Sequence, residues 1–341
     1  MGVDISGMLV RKPITLEDLT GRKIAIDAMN VLYQFLTIIR QPDGTPLRDS
    51  KGRVTSHFSG LFYRTIKLLE HGAKPCYVFD GVPPLFKSTT VEQRRAVKEE
   101  AQALHKEALA KGDMEEARKY AMMSTSMTDD IVADAKELLE AMGVPYVNAP
   151  SEGEAQAAAM AQRGEVWAVS SQDYDCLLFG APTLLRNIAV GGKRKLPGKR
   201  VYVNVEPEMI RLDDTLRANG IDREQLVVLG VLIGTDFNPG GFRGIGPKKA
   251  LELVKRKKTL AHALEGLEWR WDVSAHDVYE FFMNPPVTRD YTLKWREPDV
   301  NEIMRIMVSE HEFGRERIES AIKKLEDAKG RQERLDKWVK K

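Results

Sequence analysis

Residues 149–180 read APSEGEAQAAAMAQRGEVWAVSSQDYDCLLFG. Ser151 followed three residues later by Glu154 has the spacing of a capping box, the alanine-rich run to Gln162 favours helix, and Gly164 offers a stop. Glu152 and Glu154 then fall in the first helical turn. Val166 to Ser170 is a short apolar run of the buried-strand type that opens into the loop Ser-Gln-Asp-Tyr-Asp. With Val144 to Val147 as the preceding strand, the stretch reads strand, helix, strand. In a right-handed crossover the helix start and the end of the next strand share one sheet edge, so Glu152, Glu154, Asp173 and Asp175 are expected to converge. That carboxyl edge is where open parallel sheets bind ligands.

Like charges so placed repel by roughly 4 kcal/mol per pair at ~4 Å and an effective dielectric near 20. A divalent cation is the simplest remedy, and Mg²⁺ takes hard oxygen ligands together with substrate phosphate. Each pair alone has a plainer reading: acids in a first helical turn complement the helix dipole, and Asp-x-Asp commonly makes a turn. Their meeting on one edge is what points to metal.

Two further apolar runs end the same way. Arg22 to Asp27 reads RKIAID and Cys76 to Asp80 reads CYVFD, and a helix over Gln225 to Ile233 is closed by Gly-Thr-Asp236. Asp27, Asp80 and Asp236 therefore join the expected cluster. A lone strand-end Asp is usually a helix cap, and only the repetition argues otherwise.

Composition bounds the class. At 341 residues, 43% hydrophobic and 30% charged, the chain can bury a real core. A net charge of +2 leaves any polyanion site to local clustering. Two cysteines, Cys76 and Cys176, make neither a disulfide framework nor a thiolate metal site and suit a reducing, intracellular compartment. The histidines are scattered, without paired metal spacing, and no apolar run approaches the ~18 residues that span a bilayer.

Elsewhere, Ala28 to Ile39 is a helix candidate carrying Tyr33, and Gln41 to Gly52 is a Pro/Gly/Asp-rich loop. A helix over Phe58 to Glu70 sets Arg64 and Lys67 on one face, as a phosphate track or as solvated charge. The segment Lys87 to Asp130 is densely charged and reads as an inserted helical pair bending at Gly112-Asp113, with Lys87, Arg94 and Lys98 on one face. Thr183 to Ile188 and Arg200 to Val205 read as strands joined by GGKRKLPGK, which carries Lys193 and Arg194. In Phe242 to Ala250, FRGIGPKKA, Gly244 and Gly246 allow a tight turn, Pro247 suits the first helical position, and the exposed N–H groups with Lys248 and Lys249 suit phosphate. Gly330 to Lys341, GRQERLDKWVKK, is a polar tail with a lone Trp.

The motifs IAIDA, YVFDG, APSEGEA, SQDYDCL, LIGTDF and RGIGPKKA together closely resemble the flap structure-specific endonucleases of the 5′-nuclease superfamily, especially archaeal members, over almost the whole chain. The resemblance implies an α/β, PIN-like fold: a mixed, mainly parallel central sheet flanked by helices, a helical arch over the site and a helix-hairpin-helix DNA-binding element. It implies one nuclease domain over 1–329, comprising an N-terminal region of about 1–100, an arch of about 87–130 and an internal region of about 131–260 with the hairpin at 236–258. A clamp-binding tail follows over 330–341. By the match, Asp27, Asp80, Glu152 and Glu154 serve mainly one Mg²⁺ and Asp173, Asp175 and Asp236 the other, with Mn²⁺ able to substitute. Lys87 and Arg94 match arch cations that approach the scissile phosphate, Tyr33 a stacking aromatic and Gly2 an amino terminus near the metals.

Gly244 and Gly246 would hold duplex backbone with a monovalent cation, and Thr55, Phe313 and Arg317 match a pocket for a one-nucleotide 3′ flap. Relatives often carry Lys-Gln where this chain has His311-Glu312. The tail resembles a peptide for a sliding clamp of the PCNA type, Gln332-x-x-Leu335-x-x-Trp338-Val339, with Val in place of the last aromatic. The implied activity is two-metal hydrolysis of branched DNA with a 5′ flap, together with 5′–3′ exonuclease action, by a monomer in Okazaki fragment maturation and repair. The expected location is the cytoplasm or nucleoid for an archaeal chain and the nucleus for a eukaryotic one. A Mg²⁺-dependent phosphatase or nucleotidyl transferase would place acids at the same edge, and a clamp-tethered junction binder would need metals for structure alone.

Overall fold

The computed structural model describes residues 2–41, 43–188, 192–195 and 202–326, with the side chains of 85, 88–95, 192–195 and 202–204 outside that description. The sheet-forming segments in chain order are β1 (Arg11–Pro13), β2 (Lys23–Asp27), β3 (Lys74–Phe79), β4 (Tyr146–Asn148), β5 (Ala168–Ser170), β6 (Thr183–Arg186), β7 (Gly192–Lys195), β8 (Tyr202–Val205) and β9 (Glu208–Arg211). Seven of them form one sheet in the order β1-β9-β6-β5-β2-β3-β4. The run from β6 through β4 is parallel, and β9 and β1 close one edge antiparallel. The architecture is therefore α/β with a mixed, mainly parallel sheet.

Alternation along the central strands explains the layers. Ala25, Cys76, Val78 and Val169 pack into one buried cluster and Ile24, Ile26, Tyr77 and Phe79 into another, so the sheet is covered on both faces. One cluster includes α1 (Ala28–Ile38), α2 (Ser56–Glu70) and, beyond the arch, α5 (Asp129–Ala141). The arch itself is α3 (Ser88–Ala110) and α4 (Met114–Met123), turned at Gly112 with Asp113 as N-cap. Its seam is made of small side chains: Ala101, Ala108, Ala117 and Ala121 are buried, which accounts for the segment's lack of large aliphatics.

The other face carries α6 (Gly153–Gln162), the short α7 (Asp175–Leu178), α9 (Arg223–Ile233) and α10 (Pro247–Lys257), with α8 (Leu212–Asn219) beside β9. Val3 and Ile5 are buried in the same cluster, so the amino-terminal segment is core. The chain builds β2, β3 and β4 outward in one direction, then α6 crosses back over β3 and β2 to deliver β5 on β2's other side. The reversal puts a topological switch point between the carboxyl ends of β2 and β5.

Two expectations require correction. The capping box at Ser151 does not form: Glu152 is the N-cap of α6 without a capping side-chain bond, and Ser151 Oγ is buried without a partner. Glu154, the third member of the pattern, is drawn instead to Ser171 across the sheet edge. Second, the joining segment GGKRKLPGK is not loop throughout: Gly192–Lys195 is a strand, while the expected strand forms at Tyr202–Val205. It pairs with Gly192–Lys195 in a separate two-stranded ribbon, and the antiparallel edge is supplied by β1 and β9. Lys193 and Arg194 thus lie on a strand of that ribbon, their side chains outside the described residues.

Close packing of α1 on α2 passes through Gly60, where an added Cβ would lie 2.1 Å from Phe35 Cγ. Gly60→Ala should destabilise the protein by about 1–3 kcal/mol through overpacking, in spite of alanine's better helix propensity. Chemical denaturation measures this, and an unchanged or raised midpoint would contradict it.

Candidate active site

Asp27 ends β2 and also caps α1, accepting from Asn30 N–H at 3.0 Å. The cap reading and the cluster reading are both true of it. Ser171 Oγ, just past β5, lies 3.0 Å from both Asp27 Oδ2 and Glu154 Oε1, with one proton to donate to either, and so ties the strand end to the start of α6. The same Oγ accepts from Asp173 N–H, and Asn30 Nδ2 donates to Asp173 Oδ2 at 3.1 Å. Asp175, in the first turn of α7, accepts from Val3 N–H at 2.7 Å. Gly2 N lies 3.5 Å from Asp173 Oδ1, and a Cβ at Gly2 would fall 2.7 Å from the Asp175 carboxyl, so only glycine fits.

On the other side, Asp80 follows β3 and accepts from Gly153 N–H at 2.7 Å, another close approach that a Cβ would obstruct. Lys87, the N-cap of α3, sends Nζ to Glu152 Oε2 at 2.6 Å and to within 3.9 Å of Asp236 Oδ2. The acids therefore form one basin at the switch point, with a lysine from the foot of the arch as their counter-charge.

The electrostatics record the crowding. Burial, with Asp80 and Asp173 nearby, pushes the Asp27 carboxyl up to about 7 against the bonds from Asn30 and Ser171. Asp175 is likewise pushed up to about 7 by burial and by Asp236 and Asp173, against the Val3 N–H and the amino terminus. Burial followed by Asp175, Asp27 and Asp173 raises Glu154 well above the ordinary range. Asp80 stands at the solvent-open rim yet is crowded by protein on its other sides, and this desolvation raises it against Gly153 N–H and Lys87. Burial also raises Glu152, although Lys87 pulls it down. Lys87 keeps a raised pKa in spite of burial because Glu152, Asp236 and Asp80 favour its charge.

Among the described residues no three acid, histidine or cysteine side chains close on a single point as a finished metal cage. The set is an open basin of hard oxygen donors. Its chemistry, mutual repulsion and accessible rim fit divalent cations of the Mg²⁺ type.

The remaining candidates lie on other elements. Tyr33 is partly exposed on α1. Arg94 lies on α3 with its side chain outside the described residues. Gly244 adopts φ +77° and Lys249 Nζ reaches its carbonyl. Gly246 is extended and N-caps α10 without a side-chain bond, ahead of Pro247, so the helix start with the exposed Lys248 and Lys249 is free of a protein capping side chain.

Arg64 is half-buried on α2 and Lys67 exposed. Lys67 and Arg317 line one open groove of about 570 Å³ between α2 and the helix over 315–326, with Arg317 stacked on Tyr63. Thr55 N-caps α2, and its loop is tied to the loop bearing Phe313 by Ser50–Glu312 and Arg53–Glu310 bonds. The residues that depart from the Lys-Gln pattern serve this join: His311 is buried between Phe58 and Asp49, and Glu312 accepts from Ser50. Gln332, Leu335, Trp338 and Val339 lie outside the described residues.

Sequence reasoning missed Ser171, Asn30 and the main-chain N–H groups of Val3 and Gly153. Asn30 had a local signal, its place three residues after a strand-end Asp. Ser171 and Val3 had none, because their partners lie far away in sequence.

A carboxylate basin at the switch point of a parallel sheet, with a lysine from the foot of a helical pair as counter-charge, is the arrangement of a metal-dependent enzyme acting on phosphate esters. Two family models match, the XPG N-terminal domain over 5–101 and the XPG I-region over 143–236. Flap endonuclease 1 of Pyrococcus abyssi is 56% identical over 340 residues, covering 99% of this chain and 98% of that protein. The solved flap endonuclease-1 of Methanococcus jannaschii, 42% identical, superposes with a TM-score of 0.76 over 97% of this chain and all of that one. The catalytic core of Rad2, solved in complex with DNA substrate, is 26% identical with a TM-score of 0.70 over 95% of this chain and 100% of that one. The chain belongs to the flap endonuclease family, phosphodiester hydrolases within the XPG/Rad2 5′-nucleases.

Raised carboxyls make stability depend on pH with a definite sign. Asp27 and Asp175 titrate near 7 in the folded chain and near 3.9 unfolded, so between those values the folded state holds protons that the unfolded state has released. Their contribution is fully present below the unfolded value and is lost as pH rises through about 7. Asp175→Asn keeps an acceptor for Val3 N–H and cannot ionise. In EDTA its melting temperature relative to wild type should therefore climb between about pH 5 and about pH 8. A difference that stays flat with pH would rule this out.

Proposed function

We propose that this chain hydrolyses a phosphodiester of branched DNA near the junction of a 5′ single-stranded flap with duplex, and acts as a 5′–3′ exonuclease, in Okazaki fragment maturation and DNA repair. The observation that carries the reading is the carboxylate basin beneath Lys87, since mutually repelling oxygen donors with a lysine counter-charge suit a phosphate and its metals. Two Mg²⁺ ions, replaceable by Mn²⁺, would be held by Asp27, Asp80, Glu152 and Glu154 and by Asp173, Asp175 and Asp236, partly through water, and would supply an activated water and a stabilised leaving oxygen.

The chain's own groups do the rest. Lys87, on entry of substrate, exchanges Glu152 for the non-bridging phosphate oxygens and offsets their growing charge; Arg94 adds to it from α3. Tyr33 stacks on a base beside the reacting phosphate. Gly2 brings the amino terminus beside Asp173 and Asp175. The α10 start at Gly244, Gly246, Lys248 and Lys249 holds duplex backbone, where a monovalent cation would add charge toward phosphate, and contributes position without reading sequence. Arg64, Lys67, Lys193 and Arg194 add phosphate contacts. Thr55, Phe313 and Arg317 receive a one-nucleotide 3′ flap. The tail, through Gln332, Leu335, Trp338 and Val339, tethers a single nuclease domain, a monomer, to a sliding clamp.

Cleavage of a 5′-labelled double-flap DNA, beside single-stranded and nicked controls, tests this directly. Junction-specific product should appear with Mg²⁺ and vanish in EDTA, and Asp175→Asn should lose at least about 100-fold in rate. Faster cutting of linear single strands, or near wild-type turnover by Asp175→Asn, would defeat the reading; tight binding without product would favour a junction binder. Deleting 330–341 should abolish stimulation by a sliding clamp and spare basal cleavage, whereas stimulation that survives would refute the tail's role.

A further inference from the structure

Between the end of α9 and the start of α10 the chain runs Gly234 to Gly246, with Asp236 near one end and the phosphate-facing turn at the other. The first half of this loop is tied to the end of α9 by Asn238. Asn238 is fully buried; its Nδ2 donates to Val231 O at 2.6 Å, and its Oδ1 accepts from Thr235 N–H at 3.1 Å and from Thr235 Oγ at 2.7 Å. Thr235 Oγ in turn accepts from Phe237 N–H at 3.2 Å. Asp236 is thus bracketed on both sides by main chain that the carboxamide fixes.

The two limbs of the loop are pressed together. A Cβ on Gly234 would lie 2.5 Å from Gly241 N, one on Gly241 would lie 2.3 Å from Ile233 C, and Phe242 N–H donates to Leu232 O at 3.0 Å. Beyond Asp236, Phe237 packs edge-on against Phe86, the residue before Lys87. Beyond Gly241, Phe242 packs on Trp269 and Trp271, and Trp271 Nε1 donates to Pro239 O. The loop therefore joins the acid basin to the hairpin as a rigid link.

We propose that Asn238 is a positioning residue that sets the register between the duplex grip and the reacting phosphate, by locking the loop that carries Asp236 at one end and the hairpin at the other. This rests on the function proposed above. Asn238 touches no substrate; it acts through the distance it holds, and both a donor and an acceptor are required at one fully buried point. Aspartate lacks the donor for Val231 O, and an apolar side chain would leave the loop's groups unpaired.

The test maps single-turnover products of a 5′-labelled double-flap DNA to the nucleotide for wild type, Asn238→Ala and Thr235→Val, with duplex binding measured in EDTA. Asn238→Ala should cut about tenfold more slowly or worse, because small misplacements cost large factors in rate, and should spread its products over neighbouring phosphates while duplex binding persists. Thr235→Val, similar in shape and lacking the hydroxyl, should spread products to a lesser degree and decides the matter if Asn238→Ala does not fold. A slower variant that still cuts at the wild-type position would mark mere loss of folded protein and overturn the proposal, as would unchanged rate and position. Failure of wild type itself to cut the flap would instead strike the underlying function.

Discussion

Repulsion among buried carboxylates is the constraint around which the molecule is arranged. Left to side-chain freedom, such charges separate or protonate, and the raised values of Asp27 and Asp175 record that tendency. Opposition comes from groups that cannot move away: the main-chain N–H groups of Val3, Asn30 and Gly153, each fixed by a strand end, a helix start or a core-packed terminus. Hydrogen bonds to the charged form offset part of the burial penalty, so Asp27 and Asp175 stay close to ionisation near neutral pH. A cation then changes their charge state at little cost in conformation.

Lys87 gives this basin its counter-charge. Located where the 3₁₀ turn Leu85–Lys87 passes into α3, it links the arch directly to the acids through Glu152 and Asp236. The arch is also attached at its far side, where Arg40 reaches Thr125 and Gly44 lies against Arg118. Its interior seam of alanines permits close helix contact with little side-chain interlock.

Much of the site was legible because each acid sits at a local boundary that sequence marks well. Asp27 and Asp80 follow apolar runs, Glu152 and Glu154 open an alanine-rich helix, and Asp173 and Asp175 follow a strand. The ambiguity between capping and clustering at Asp27 proved to be no choice at all, since one oxygen caps α1 and the other meets Ser171. The capping box failed for a related reason: its spacing was right, but Glu154 had a better partner across the sheet than along the helix. The strand Gly192–Lys195 reads as loop because its glycine and basic residues carry no strand pattern, and only its pairing with Tyr202–Val205 makes it a strand.

What the sequence by itself determined is the alternation of strands and helices, the acids at their ends, and the glycine-proline turn that begins α10, all consequences of periodicity and backbone stereochemistry acting over a few residues. Which strands adjoin, that α6 crosses two of them to return beside β2, and that Ser171, Val3, Lys87 and Asn238 reach the places they do were decided only by the tertiary structure. Those contacts join residues far apart in the chain, and their energies depend on burial and on charges brought near by folding, quantities that do not exist until the sheet has closed.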